Sequence, residues 1–207
     1  MIPSLAFFLA AIILAVTPGP GIAYVVARTA AGGRAEGLAS CVGTGVGGMV
    51  HVGAAALGLS LLLAQSAAAF VALKYVGAAY LIFLGVRMLI SSSPPPDSAP
   101  VAFASGSRRA LVEGILVEAL NVKTALFFLA FLPQFLNSGS PAAMQLVVMG
   151  TICVTLNTLV DIVAVLLAVR LLRSGFTARR RARVLNKVSG LTLVGLGLYV
   201  ASAKRSI

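Results

Sequence analysis

Residues 4–27 read SLAFFLAAIILAVTPGPGIAYVVA. The stretch is long enough to cross a bilayer, which takes roughly 20 predominantly apolar residues in a helix. Its middle cannot be a regular helix. Pro18 and Pro20 lack amide protons and disrupt the hydrogen-bond ladder, and Gly19 between them lets the backbone bend or approach another group closely. Thr17 lies about 13 residues in, roughly 20 Å at ~1.5 Å per residue. The stretch therefore predicts a membrane span interrupted in mid-bilayer, whose freed carbonyls and amides need partners from protein, water or a transported molecule. It begins apolar without a positive leading segment or a clear small-residue cleavage site, and so is expected to be retained as the first span.

The rest of the chain repeats this character. Of its 207 residues 59% are hydrophobic and only 10% charged, against about 25% charged in an ordinary soluble domain. Such a surplus of apolar side chains must face lipid. The long runs show no strict alternation, which argues against a barrel. Five further spans are expected at about Leu38–Ala64, Phe70–Leu89, Leu111–Phe135, Pro141–Val169 and Val188–Ala203. The fold class is thus an all-α integral membrane domain of six transmembrane helices over residues 1–207.

The stretch SSSPPPDSAP (Ser91–Pro100) cannot be helical. It divides the chain into a first three-helix unit (1–90), a connector (91–109) and a second three-helix unit (110–207). Three is odd, so the units enter the membrane from opposite sides, the inverted-topology 3+3 repeat of many secondary transporters. The net charge is +11, which taken alone would suit nucleic acid. Its placement instead suits a membrane. Twelve of the 16 Lys and Arg residues follow spans 1, 3 and 5, and three (Lys74, Lys204, Arg205) lie on the other side. That bias puts the basic loop 170–187 and the connector in the cytoplasm and both termini outside. The run Arg179–Arg181 with Arg183 reads as part of this topology signal, with anionic lipid as a sharper alternative.

Several chemistries are absent. The sequence has no CxxC pair or Cys/His ligand spacing for a metal, no GxSxG elbow and no phosphate-binding glycine loop. Neither an enzyme, a cofactor nor a metal is implied. Cys41 and Cys153 read as small buried hydrophobes. On straight helices they fall roughly 10 Å apart along the membrane normal, beyond disulfide reach without movement, which weighs against a membrane thiol-disulfide carrier.

The interior polar groups carry the functional reading. Span 4 contains Glu118, Asn121 and Lys123. A lysine at that depth costs about 2.5–3.5 kcal/mol on insertion scales and is a functional candidate by default. On a regular helix Glu118 and Lys123 point roughly 140° apart, so they pair within span 4 only if it unwinds near Asn121. Span 5 carries Thr151, Thr155, Asn157, Thr158 and Asp161. Asp161 and Glu118 each lie nine residues from a basic residue at the cytoplasmic helix end, Arg170 and Arg109. Equal depth permits a site shared with Lys123 and suited to carrying protons; a static ion network that orients helices is the alternative. His51 in span 2 reads first as a hydrogen-bonded packing residue and second as a titrating one. The glycines at 43, 45, 47 and 48 supply close helix contact.

These features together resemble the LysE/RhtB superfamily of amino acid exporters over nearly the whole chain. The resemblance rests on Thr17-Pro18-Gly19-Pro20, the glycine-rich start of span 2 leading to His51, and Gly77–Gly85 (GAAYLIFLG). It continues with Gly114, Asn121-Val122-Lys123 and Phe131–Phe135 (FLPQF). It implies a six-helix efflux carrier driven by proton exchange in a bacterial inner membrane, with the span 1 and span 4 motifs lining the path. The sequence departs from the family at Val122, where proline is usual, which predicts a weaker second break, and at Glu118, where a neutral residue is usual. The expected site is Thr17, Pro18, Gly19, Pro20, His51, Glu118, Asn121, Lys123 and Asp161. The expected partners are an amino-acid-class small molecule, protons and the lipid bilayer, with self-association as a homo-oligomer compatible. A non-transporting scaffold is the remaining alternative, and it leaves the broken span and the midplane charges without a role.

Overall fold

The computed structural model describes residues 3–59, 67–90, 106–137 and 139–172, with Leu191, Val194, Gly195, Leu198 and Ala201. Among the described residues every regular element is helical. The helices are α1 (Leu5–Val16), α2 (Pro20–Ala54, continued by a π-helical turn Ala55–Leu59), α3 (Ala67–Ile90), α4 (Ser107–Ala119), α5 (Val122–Phe131, ending in a 3-10 turn Leu132–Phe135) and α6 (Ala142–Leu172).

Local chemistry explains where α1 starts and stops. The Ser4 hydroxyl oxygen accepts from the Phe7 N–H at 3.3 Å and caps the first turn. At the other end Thr17 is extended (φ −72°, ψ 117°), as a residue before proline is pushed to be. Leu5, Leu9, Ile12 and Val16 form an exposed apolar stripe while Phe7, Ala11 and Leu14 are buried. A helix apolar on both faces is suited to sit between a protein core and lipid. The break covers Thr17–Gly19 only. Pro20, expected within it, is instead the first residue of α2, where its missing N–H costs nothing.

The expected loop between spans 1 and 2 takes the form of a tight turn at Gly33. Within α2 only Gly33 leaves helical geometry, at φ 75° and ψ −169°, a left-handed backbone that glycine adopts without penalty. In a straight helix, residues eight apart lie about 12 Å apart along the axis. Here Arg28 meets Glu36 at 3.5 Å, and a Cβ on Gly37 would collide with Thr29. The chain therefore folds back at Gly33, giving a first arm (20–32) and a second arm (34–54). Gly32 and Gly37 flank the turn and keep helical geometry, so Gly33 alone makes it.

The second arm is wedged between α4 and α6. A Cβ on Gly47 would lie 2.5 Å from Ile115 O, and one on Gly114 would lie 2.8 Å from Ser40 O. Gly43 approaches the Leu111 carbonyl more closely still. Gly43 and Gly47, four apart, thus let two backbones touch, the small-residue packing of membrane helices. On the α6 side Gly45 meets Thr158 and Gly48 meets Val154. A second core joins α1 to α5 through Phe7, Phe127, Phe128 and Phe131, with the Phe127 and Phe131 rings stacked at 4.6 Å.

By length and composition two described stretches could cross a membrane, Ala142–Arg170 and Pro20–Gly58, the latter being the two arms that fold back at Gly33. The pair Ser107–Ala119 and Val122–Phe135, bent by 45°, qualifies as a third. The connector's last residues, Ser107–Arg109, are helical and belong to α4. Most of the connector, the basic run after Leu172 and nearly all of expected span 6 lie outside the described residues.

Candidate functional site

The break in the fourth expected span lies at Leu120–Asn121, between α4 and α5. Asn121 makes it. Its side-chain oxygen accepts the Lys123 N–H at 3.1 Å and caps α5, and its Nδ2 donates to Glu118 Oε2 at 2.9 Å. The carbonyl of Glu118, at the end of α4, takes a 2.7 Å hydrogen bond from His51 Nε2. A carbonyl only accepts, so that nitrogen carries a proton. The His51 ring also packs edge-on to Phe128 at 6.2 Å. His51 thus helps hold the break, in line with the packing role expected of it first.

Lys123 is buried and reaches across to the other broken span. Its Nζ donates to Thr17 O at 2.7 Å and to Leu14 O at 3.3 Å. Both carbonyls lie at the end of α1, the negative pole of that half-helix, and that of Leu14 also accepts the Thr17 N–H at 3.3 Å. Gly19 makes the approach feasible, since a Cβ there would lie 3.0–3.2 Å from Lys123 Nζ, Cε and Cδ. Glu118 turns the opposite way. Its Oε1 accepts from the Thr124 hydroxyl at 2.6 Å, and its Oε2 lies 2.7 Å from where a Cβ on Gly21 would stand. Gly21 is in the first turn of α2, the positive pole of the second half-helix. Lys123 and Glu118 therefore do not pair with each other. Each addresses one end of the interrupted first span, the cation at the carbonyl end and the anion at the amide end.

A cavity opens beside this crossing, lined by Glu118, Thr124, Thr44, Asn157, Thr158 and Asp161 with an apolar wall including Leu14, Phe128 and Cys153. The space open to the centre of a water-sized sphere is about 10 Å³, near the minimum for a single water. Glu118 and Asp161 both line this cavity. Lys123 lies behind it, on the α1 carbonyls. The threonine stripe of span 5 divides: Thr158 and Asn157 face the cavity, whereas Thr151 and Thr155 are exposed. Cys41 and Cys153 are both free and lie in separate apolar clusters.

Two groups of residues escaped the sequence reading. Thr44 lines the cavity and bonds Asp161 at 2.9 Å; its place seven residues before His51, on the same helix face, was the available signal. The second group ties the first arm of α2 to the start of α4. Arg28, wholly buried, pairs with Glu36 at 3.5 Å. Glu36 Oε1 accepts the Gly106 N–H at 2.7 Å, and the Tyr24 hydroxyl donates to Ala110 O at 2.9 Å. Position near a span end had marked Arg28 only as a topology charge.

The LysE type translocator family matches residues 12–204. The chain belongs to that family. The translocator is 30% identical over 201 residues to an uncharacterized membrane protein of Vibrio cholerae serotype O1, covering 97% of each chain. It is 27% identical to the homoserine/homoserine lactone efflux protein of Salmonella typhimurium, again over 97% of each. With the threonine efflux protein of Salmonella typhi it shares 28% identity over 91% of its own length and 92% of the relative's. No solved structure matches it. The resemblance read from its motifs is thus established at the level of family.

Proposed function

We propose that this translocator exports amino acids or closely related small metabolites from the cytoplasm across a bacterial inner membrane, in exchange for protons. The observation that carries the reading is the crossing of two interrupted spans, with Lys123 and Glu118 each matched to one end of the broken first helix beside a cavity holding Asp161. Backbone groups freed at breaks, together with ionisable side chains at membrane depth, form the binding sites of many secondary transporters. The names of the homoserine and threonine efflux relatives support the substrate class.

The breaks also support an inverted 3+3 repeat. Gly19 and Asn121 are N-caps, and Pro20 and Val122 follow as first helical residues. Residues 1–90 and 110–207 would then form the two units, with both termini outside and the loop at 170–187 in the cytoplasm. The cavity is too small for an amino acid, so loading requires a different arrangement of the same helices, as alternating access demands. The thiol-disulfide reading is disfavoured by the separate burial of Cys41 and Cys153.

The test uses full-length protein in proteoliposomes loaded with labelled threonine or homoserine. An imposed pH gradient should drive movement of at least one of them, and a protonophore should abolish it. Folded protein that moves neither compound, and whose unfolding temperature neither compound raises, would remove the reading.

A further inference from the structure

Asp161 and Glu118 border one cavity, yet their hydrogen-bond partners differ in kind. Glu118 is surrounded by donors. Asn121 cannot turn its amide around, because its oxygen is engaged by the Lys123 N–H at 3.1 Å. It therefore presents N–H to Glu118 Oε2, and an amide NH₂ never accepts. Thr124 gives its hydroxyl hydrogen to Oε1 at 2.6 Å, and Gly21 brings the amide end of α2 against the same carboxylate. These contacts suit an anion and are disturbed by a proton.

Asp161 has one hydrogen-bond partner among the described residues, the Thr44 hydroxyl, 2.9 Å from Oδ2. The same hydroxyl oxygen lies 3.0 Å from the Cys41 carbonyl. A hydroxyl has a single hydrogen and two lone pairs, and a carbonyl can only accept. Two arrangements are therefore complete. In one, Thr44 donates to ionised Asp161. In the other, Asp161 carries a proton on Oδ2 and donates it to Thr44, while the Thr44 hydrogen turns to the Cys41 carbonyl. The carboxyl is satisfied in either state by rotation of one hydroxyl, with no movement of a helix. Among the described residues the other titratable or charged groups acting on Asp161 are Glu118 from α4, Lys123 from α5 and the Cys41 thiol from α2.

We infer that Asp161 is the residue that takes up and releases the coupling proton and that the Thr44 hydroxyl is the partner that reorients between its two states. One proton arrives from water at Oδ2 and the same proton later leaves it for water on the other side; no other bond is made or broken. The inference rests on the proposed proton-coupled export, but its core can be tested without transport.

The chain has only five Asp and Glu residues, so carboxyl infrared bands can be assigned by substitution. In lipid-reconstituted protein, acidification should produce a carboxylic acid C=O band that persists in Glu118→Gln and is missing from Asp161→Asn. A band that persists in Asp161→Asn and is lost in Glu118→Gln would overturn the assignment. Thr44 gives a second, milder handle. Threonine uptake driven by a pH gradient should fall about tenfold or more in Thr44→Val and stay within about threefold of wild type in Thr44→Ser, which keeps the hydroxyl. Equal loss in both, or in neither, removes the role of the hydroxyl. If wild-type threonine flux ignores the pH gradient while the infrared assignment holds, the exchange mechanism fails and the proton site stands.

Discussion

The two helix breaks do the same job by different means. In the first, Thr17–Gly19, the backbone itself forbids helix: Pro18 forces Thr17 to be extended, and Pro20 starts the next helix without an amide to satisfy. In the second, Leu120–Asn121, neither proline nor glycine is present. The bend of 45° is held by side chains: Asn121 caps α5, and His51, from another helix, holds the Glu118 carbonyl. A break written in the backbone persists wherever its neighbours go. One written in side chains depends on those neighbours staying in place.

The largest expected effect comes from removing the group that joins the two breaks. Lys123→Met abandons two charge-assisted hydrogen bonds to the α1 carbonyls, at about 1.5–3 kcal/mol each. It should lower the free energy of unfolding in detergent by about 3 kcal/mol or more and abolish measurable flux in proteoliposomes. Wild-type flux in Lys123→Met would show that the two breaks act independently.

Asn121→Ala comes next. It removes the cap of α5, worth about 0.5–2 kcal/mol, together with a donor to Glu118. Thermal denaturation should show a loss toward the upper end of that range, with a clear drop in flux. Gly19→Ala probes the first break at the point of contact. The Gly19 backbone (φ −147°, ψ −174°) suits alanine, so the nearest obstacle is the Lys123 side chain. The substitution should cost about 1–2 kcal/mol in wild type and much less in a Lys123→Met background. An equal cost in both backgrounds would mean that the glycine serves the backbone rather than the lysine.

The smallest effect tests the equivalence of the breaks directly. Val122 occupies the first position of α5, as Pro20 does in α2, and the preceding Asn121 is extended (φ −75°, ψ 99°), as a residue before proline should be. Val122→Pro should leave flux near wild type and change stability by no more than about 1 kcal/mol, in the stabilising direction. A marked loss would separate the two sites.

These contrasts also mark what a reader of the sequence could see. The first break was legible because proline and glycine act through the backbone, in any surroundings. The second was expected to be weak without a proline at 122, and it is sharp because its causes are contributed by Asn121 and by a histidine some seventy residues away. The shared depth of Glu118 and Asp161 followed from helix arithmetic. The choice of carbonyls over carboxylate by Lys123 did not, since it depends on how α1 and α5 cross. Arg28 counted as a surface charge in a tally along the chain, and only the fold-back at Gly33 brings Glu36 to bury it. Thr44 was hidden among glycines, and its importance lies in a neighbour on α6.

The touching backbones of α2 and α4 at Gly43, Gly47 and Gly114, with Glu36 grasping the Gly106 amide, have a consequence for how such a molecule could be encoded. What comes before the connector grips what comes after it through surfaces, and the covalent thread between them is only one of several bonds. A gene cut within codons 91–105 should therefore still give a working carrier from two co-expressed pieces, and insertions there should be far better tolerated than a single methyl group at Gly43.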